Sequence, residues 1–247
     1  MIERLSGEQL DLLRKAGDIL RRCIDDLATG IRPGVSTKDL EVRAEGFIKS
    51  HDGKTAFKGY RGYPAAICTA PNNVVVHGIP DENNILKEGD IVSVDVGVEY
   101  AGIYADAAKT FPVGKVSPKA ELLISVTEEA LSRGIEKAKS GNRVQDISWA
   151  VQSFVESKGF NVVRAFVGHG IGRRIHAEPE VPNFGRPGKG PLLENGMALA
   201  IEPMVNEGVS GVEILEDGWT AVTADGKLSA HFEHTVIING DRPEIVT

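Results

Sequence analysis

A lone carboxylate set in an apolar strand is the most restrictive thing this chain contains, and it contains several. Asp95 interrupts Ile91-Val92-Ser93-Val94-Asp95-Val96-Gly97-Val98, Glu202 ends Met197-Ala198-Leu199-Ala200-Ile201-Glu202-Pro203, and Glu233 precedes His234-Thr235-Val236-Ile237-Ile238. Burying one carboxylate by itself is costly or drives it to its neutral form. Several can stay ionised together when they share divalent cations. A fold for this chain must therefore expose these segments or gather the acids around metal. Asp106 and His169 complete the candidate ligand set.

Hydrophobic spacing sets the elements around them. Leu10, Leu13, Ala16, Gly17, Leu20, Cys23, Ile24 and Leu27 predict a helix over 6–28, ended by Thr29-Gly30-Ile31-Arg32-Pro33-Gly34. Ser36 or Thr37 caps a second helix bearing Leu40, Ala44, Phe47 and Ile48. Residues 54–73 read as loop plus a short strand, 91–98 as a Val-rich strand, and 100–113 as its hairpin return. The spacing then predicts helices over 118–139 and 143–158 and strands near 161–167, 197–202, 212–215, 220–223 and 231–238. Each half is two helices followed by strands, with no obvious linker. The expectation is a single domain over 1–247 with an internal repeat of roughly 1–115 and 116–247.

One detail supports the repeat. Gly89 lies six residues before Asp95 and Gly196 six before Glu202, an offset of 107 residues. Glycine ahead of a buried strand is also common in unrelated chains. A unit duplicated about a pseudo-twofold axis would bring the acids of both halves to the junction.

Alternation puts Ile91, Ser93, Asp95 and Gly97 on one face of the first strand and valines on the other. A tight hairpin returns Asp106 beside Asp95. Taken alone, these two acids also suit a solvated sheet face. In Gly168-His169-Gly170-Ile171-Gly172-Arg173-Arg174-Ile175-His176, glycines strip bulk from both sides of His169 and let backbone or ligand approach. His176, seven residues on, suits a loop that folds back; a solvated Gly-rich loop is the plainer alternative. Carboxylates with one imidazole form a hard donor set suited to Mn, Fe(II), Co or Zn, unlike a cysteine-rich structural zinc site. Five ligands are many for one ion and natural for two. Two ions about 3.5–4 Å apart can hold a bridging hydroxide and polarise a carbonyl. The residue chemistry points to metal-assisted hydrolysis. No His-Glu-x-x-His, Cys-x-x-Cys, Gly-x-Gly-x-x-Gly or phosphate-binding Gly-Lys-Ser/Thr motif competes with it.

Composition removes other classes. A net charge of −7 argues against nucleic-acid binding, which needs clustered Lys and Arg. No apolar run approaches the ~20 residues that span a bilayer, and the N-terminus has no secretory apolar region. Cys23 and Cys68 make no disulfide framework, although one pair stays open on sequence grounds. A cytoplasmic protein is expected.

Taken together, six segments resemble the type I methionine aminopeptidases of the bacterial short form, over about Leu10 to Thr247. They are Asn72-Asn73-Val74-Val75-Val76-His77-Gly78-Ile79-Pro80, Glu88-Gly89-Asp90-Ile91-Val92-Ser93-Val94-Asp95-Val96-Gly97, Gly102-Ile103-Tyr104-Ala105-Asp106, Val167-Gly168-His169-Gly170-Ile171-Gly172, Ile201-Glu202-Pro203-Met204 and Phe232-Glu233-His234-Thr235. The resemblance implies the pita-bread fold, an α/β (α+β) architecture whose duplicated unit builds a curved antiparallel sheet flanked by helices. It implies two divalent ions (Co, Mn, Fe or Zn) and removal of initiator methionine from nascent polypeptides with a small second residue, by attack of a metal-bridging hydroxide.

On the same resemblance Asp95 would chelate one ion, His169 and Glu202 the other, and Asp106 and Glu233 would bridge. Glu202 would handle the proton of the water, His176 would stabilise the oxyanion, and His77 would bond the peptide near the leaving amine. The methionine pocket would be Phe57, Tyr60, Tyr63, Cys68, Ile175 and Trp219, with His77 and His176 at its edge. A monovalent cation would sit near Asn72, Val74 and Ser229. Expected partners are peptide and nascent-chain N-termini, with transient ribosome association and a monomeric state.

The chain departs from the pattern at Arg61, Phe57 and Ile175, where some members have His, Cys and an aromatic. Those changes alter pocket shape and charge. Two other readings stand beside this one: a Pro-specific aminopeptidase or dipeptidase of the same fold, and a non-catalytic scaffold. All five ligand positions being filled speaks against the scaffold.

Overall fold

Each helix begins where a polar side chain can take the first free backbone N–H groups. In the computed structural model, which describes residues 2–247, Ser6 and Gln9 form a capping box at α1 (Gly7–Gly30). Ser36 and Asp39 do the same for α2 (Thr37–Ser50), so Ser36 rather than Thr37 is the cap. Ser117 caps α3 (Pro118–Ile135), with Pro118 in its first turn. The Arg143 N–H donates to Asp146 at 2.8 Å at the start of α4 (Val144–Ser157).

The first half adds β1 (Lys54–Thr55), β2 (Cys68–Pro71), β3 (Val74–Val76), β4 (Ile91–Tyr100) and β5 (Ile103–Pro112). The second half adds β6 (Asn161–Val162), β7 (Val167–Gly170), β8 (Ala177–Pro182), β9 (Ala198–Ile201) and β10 (Met204–Asn206). It continues with β11 (Val212–Ile214), β12 (Ala221–Thr223), β13 (Ser229–His231), β14 (Glu233–Ile237) and β15 (Glu244–Ile245). The main sheet runs β1-β4-β5-β14-β9-β7-β8, with β2 also on β4 and β15 also on β14. Within this sheet the first-half and second-half strands meet at one antiparallel seam, where Glu233 pairs Ala108 and His234 pairs Ala107. Two small sheets, β13-β10-β6 and β11-β12-β3, flank it.

The valine face of β4 explains which side carries helices. Val92, Val94, Val96 and Val98 are fully buried against Leu13, Leu20 and Leu27 of α1 and Leu40 and Ile48 of α2. Each such side chain contributes about 1.5–3 kcal/mol of transfer energy. In the second half Leu131 and Ile135 of α3 and Ile147 of α4 pack against Leu199, Ile201 and Val236. Both helix pairs thus lie against the sheet, and alternation turns Ser93, Asp95 and Gly97 to the opposite face.

The structure differs from the sequence expectations at several places. α3 stops at Ile135, where Lys137 and Ala138 N–H groups turn back to Gly134 and Ile135 carbonyls. The strand expected near 161–167 is two, β6 and β7, in different sheets. The strand expected near 197–202 is β9, with β10 an unexpected strand beyond Pro203 in a small sheet, and the one expected near 231–238 is interrupted at Phe232, with β14 in the main sheet and His231 ending β13 in a small one. Gly168-His169-Gly170 is strand, not loop, and β8 follows it at the sheet edge, where Pro179 and Pro182 cost no ladder bond to a further neighbour.

Candidate metal centre and substrate pocket

Five neighbouring strands deliver one ligand candidate each. Asp95 comes from β4, Asp106 from β5, Glu233 from β14, His169 from β7, and Glu202 directly follows β9. The registers put them on one face. Asp95 pairs Ala108, which pairs Glu233; Gly97, two residues from Asp95, pairs Asp106; His169 pairs Ala200, two residues before Glu202. Asp106 therefore stands diagonal to Asp95 rather than directly opposite it.

The side chains converge. His169 Nε2 is 3.5 Å from Glu202 Oε1 and 3.9 Å from Asp106 Oδ2. One potential ligand atom each from Asp95, Asp106 and Glu233 lies within 4.8 Å of the others, and the same holds for His169, Glu202 and Glu233. The two triads share Glu233. Asp106 also groups with His169 and His176 in this way.

The donor set fits divalent cations on its own chemistry. Asp95 Oδ1, Asp106 Oδ1 and Glu233 Oε1 are buried without a hydrogen-bond partner, which native interiors seldom leave so. Without a cation, desolvation pushes Asp95 up to about 7 and Asp106, Glu202 and Glu233 well above the usual carboxylate range, the neighbouring acids adding to each of the latter three. Desolvation lowers His169 to about 4, so its ring is neutral at pH 7. Its Nδ1 lies 3.0 Å from the Gly170 carbonyl, which accepts from Nδ1–H and leaves Nε2 free toward the acids.

Glycines bring β7 this close. A Cβ on Gly170 would sit 2.1 Å from the Glu178 carbonyl oxygen, and one on Gly168 would sit 2.4 Å from that of Ala200. Both obstacles are backbone. Gly170→Ala is therefore expected to cost about 3 kcal/mol and to lower the melting temperature by about 6–12 °C. Gly46→Ala, on the exposed side of α2 with open space around it, should instead raise it slightly. Equal melting temperatures in calorimetry for Gly170→Ala and wild type would contradict the close approach.

Beside the acids opens a cavity of about 570 Å³. Buried Phe57, Tyr63, Cys68 and Ile175 pack as one apolar cluster, with Tyr60 and Trp219 against it. Tyr63 meets Trp219 edge-on at 5.2 Å, and its hydroxyl donates to the Gly78 carbonyl at 3.0 Å. His176 lies against Tyr60 and, at 4.4 Å between ring centres, against His169. Desolvation, with help from His169, Arg61 and His77, pushes His176 down to about 3. His77, held in left-handed backbone with φ 59°, faces Phe166 and Trp219. All the site residues expected from the sequence therefore line or adjoin one cavity. Away from it, Asn72 and Ser229 meet: the Asn72 carbonyl accepts the Ser229 N–H at 2.9 Å, while Val74 begins β3 two residues on. Cys23 and Cys68 are both buried and free.

Several supporting residues escaped sequence reasoning. Thr235 Oγ1 accepts the Asp106 N–H at 2.9 Å and donates to the Asp106 carbonyl at 2.8 Å, clamping the seam at a ligand. Buried Glu41 of α2 accepts the Ala66 N–H at 2.8 Å and pairs with Lys38, fixing the segment that leads into Cys68. His231, 1% exposed, stands 3.7 Å from Glu202. The one signal for it in the sequence is a histidine two residues before Glu233.

Comparison with known proteins agrees with this geometry. Residues 11–240 match metallopeptidase family M24. A methionine aminopeptidase of Clostridium perfringens is 55% identical over 100% of this chain and 99% of its own length. The solved structure of a methionine aminopeptidase from Thermotoga maritima superposes with a TM-score of 0.99 at 46% identity, covering 100% of this chain and 99% of that one. A prolidase from Pyrococcus furiosus shares the fold alone, with a TM-score of 0.79 at 20% identity over 99% of this chain and 65% of that one. The duplicated α/β unit around one antiparallel sheet is the pita-bread fold, and the chain is an enzyme belonging to the methionine aminopeptidases of metallopeptidase family M24.

Proposed function

We propose that this enzyme removes initiator methionine from new polypeptides, with a preference for a small second residue carried over from the family resemblance. The observation that carries the reading is the apolar, aromatic and sulfur-lined pocket opening beside the acid–imidazole cluster. Such a lining suits a thioether side chain.

In this reading Asp95, Asp106, His169, Glu202 and Glu233 hold two divalent ions, drawn from Co, Mn, Fe or Zn according to availability. When bound, the ions supply Lewis acidity and ease deprotonation of water at neutral pH. Glu202, ionised as a ligand of the ions, would take the proton of the attacking water and return it to the leaving amine. His176, neutral at pH 7, donates N–H to the oxygen of the scissile carbonyl as charge builds there. His77 bonds the peptide near the amine that departs. Phe57, Tyr60, Tyr63, Cys68, Ile175 and Trp219 bury the methionine side chain. A monovalent cation near Asn72, Val74 and Ser229 would brace the neighbouring strands. The enzyme would work as a cytoplasmic monomer on peptide and nascent-chain N-termini, in transient contact with the ribosome; no described helix is long and apolar enough to cross a membrane.

Mass spectrometry on Met-Ala-x and x-Pro peptides tests the activity. Release of methionine from Met-Ala-x is expected, and cleavage of x-Pro peptides alone would overturn the reading. Trp219→Ala should raise KM for methionine peptides about 10–100-fold by removing apolar contact, while a calorimetric metal titration stays as in wild type. A changed metal titration would remove Trp219 from the pocket role.

The acid cluster also sets a pH dependence. Carboxyls raised in the folded chain keep protons that the unfolded chain has released, so they weaken the metal-free fold as pH climbs through their folded values. His169 and His176, lowered in the fold to about 4 and 3, weaken it as pH falls, but only below the unfolded value near 6.5. Above pH 6.5 the carboxyls act alone. Chelated protein should lose up to about 1.4 kcal/mol per pH unit for each retained proton. Its melting temperature is expected to fall from pH 6.5 to 8.5, with the ion-loaded protein much flatter; parallel curves would contradict the cluster's role.

A further inference from the structure

His231 is the one buried imidazole at the centre to which no role has yet been given. It ends β13, where it pairs Met204 on β10. Its backbone is clamped twice by Thr110: the His231 N–H donates to Thr110 Oγ1 at 2.9 Å, and Thr110 Oγ1 donates to the His231 carbonyl at 2.9 Å. Ser93 in turn lies 2.8 Å from Thr110 Oγ1. The backbone that carries the ring is therefore fixed. Its Nε2 is buried, has no hydrogen-bond partner and stands 3.7 Å from Glu202 Oε2, while the other Glu202 oxygen faces His169 at 3.5 Å.

We propose that His231 is a positioning residue for Glu202. Its Nε2–H donates to Glu202 Oε2 when the centre is loaded and drawn together, which fixes the carboxylate plane and aims the other oxygen at the ion shared with His169. A buried N–H needs an acceptor, and hydrogen bonds at such sites are often long until substrate or cofactor tightens them. Groups behind a ligand of this kind typically change metal affinity or activity 10–100-fold. The inference rests on the metal-binding reading of Glu202 and on no property of the peptide.

The test compares His231→Gln, which keeps a side-chain N–H donor, with His231→Leu, which fills the space without one. Mn2+ binding is followed by calorimetry, and turnover of a Met-Ala peptide in parallel. For His231→Leu, a 10–100-fold weaker Mn2+ affinity at one of two sites and a similar fall in kcat with KM within a few-fold are expected. His231→Gln should stay within a few-fold of wild type in all three. If His231→Leu does not fold, His231→Asn, a donor too short to reach, takes its place with the same expected loss. Wild-type Mn2+ affinity in His231→Leu, or equal losses in Leu and Gln, would overturn the assignment. Methionine peptides left uncut by wild type, with the order of Mn2+ affinities intact, would refute the proposed activity and uphold His231.

Discussion

Asp106→Asn is expected to lower turnover at least about 1000-fold while raising the melting temperature of the metal-free protein. The two effects share one cause. Asp106 sits within ligand distance of Asp95 and Glu233 on one side and of His169 on the other, so its loss weakens both proposed ion positions. Removing several kcal/mol of stabilisation from the transition state corresponds to a thousandfold or more. Without ions the same carboxylate is a liability: it is buried, one oxygen is unpartnered, and Glu233 and Asp95 repel it. A neutral amide ends that repulsion and can donate to either neighbour, which is worth a few degrees in melting temperature. Turnover equal to wild type would refute the metal role. A lower metal-free melting temperature at pH 8 would refute the repulsion.

The second large effect is expected at His176. Its ring projects from the loop between β7 and β8, against Tyr60 and His169, so His176→Ala removes little core. Loss of one donor to a developing oxyanion costs about 2.7–4 kcal/mol, or 10²–10³ in kcat. KM and the metal titration should stay within a few-fold, which separates this role from ligation. Because the ring is already neutral well below pH 7, kcat of the wild type should show no loss across pH 6–8 from this group. A His176→Ala enzyme with unchanged kcat, or one that fails to bind metal, would remove the assignment.

How much of this could be read from residues alone follows from what each residue must avoid. Asp95, Glu202 and Glu233 were conspicuous because a charge inside Val- and Ile-rich strands demands an explanation, and alternation then fixed which face Asp95 occupies. The hairpin return to Asp106 followed from Tyr100-Ala101-Gly102, and the helix pairs from simple 3.6-residue spacing. Glycine hid β7, because Gly168 and Gly170 carry no β-forming side chain although they let neighbouring backbone approach closely. Two prolines hid β8, which tolerates them because it lies at an edge. The interruption at Phe232 was invisible because nothing in that residue ends a strand, and only tertiary pairing sends β13 and β14 to different sheets. His231 and Glu41 were hidden more completely. Each is a polar residue in a short or amphipathic segment, and burial makes it significant only through partners distant in sequence.

The central claim is that five side chains from five adjacent strands hold a pair of ions. Anomalous scattering from crystals grown with Mn2+ and an uncleavable methionyl-peptide analogue tests it most directly. Two peaks about 3.5–4 Å apart are expected, one between Asp95, Asp106 and Glu233 and the other between Asp106, His169, Glu202 and Glu233, with the methionine side chain between Tyr63 and Trp219. Peaks lying elsewhere, with these five side chains contacting no ion, would contradict it.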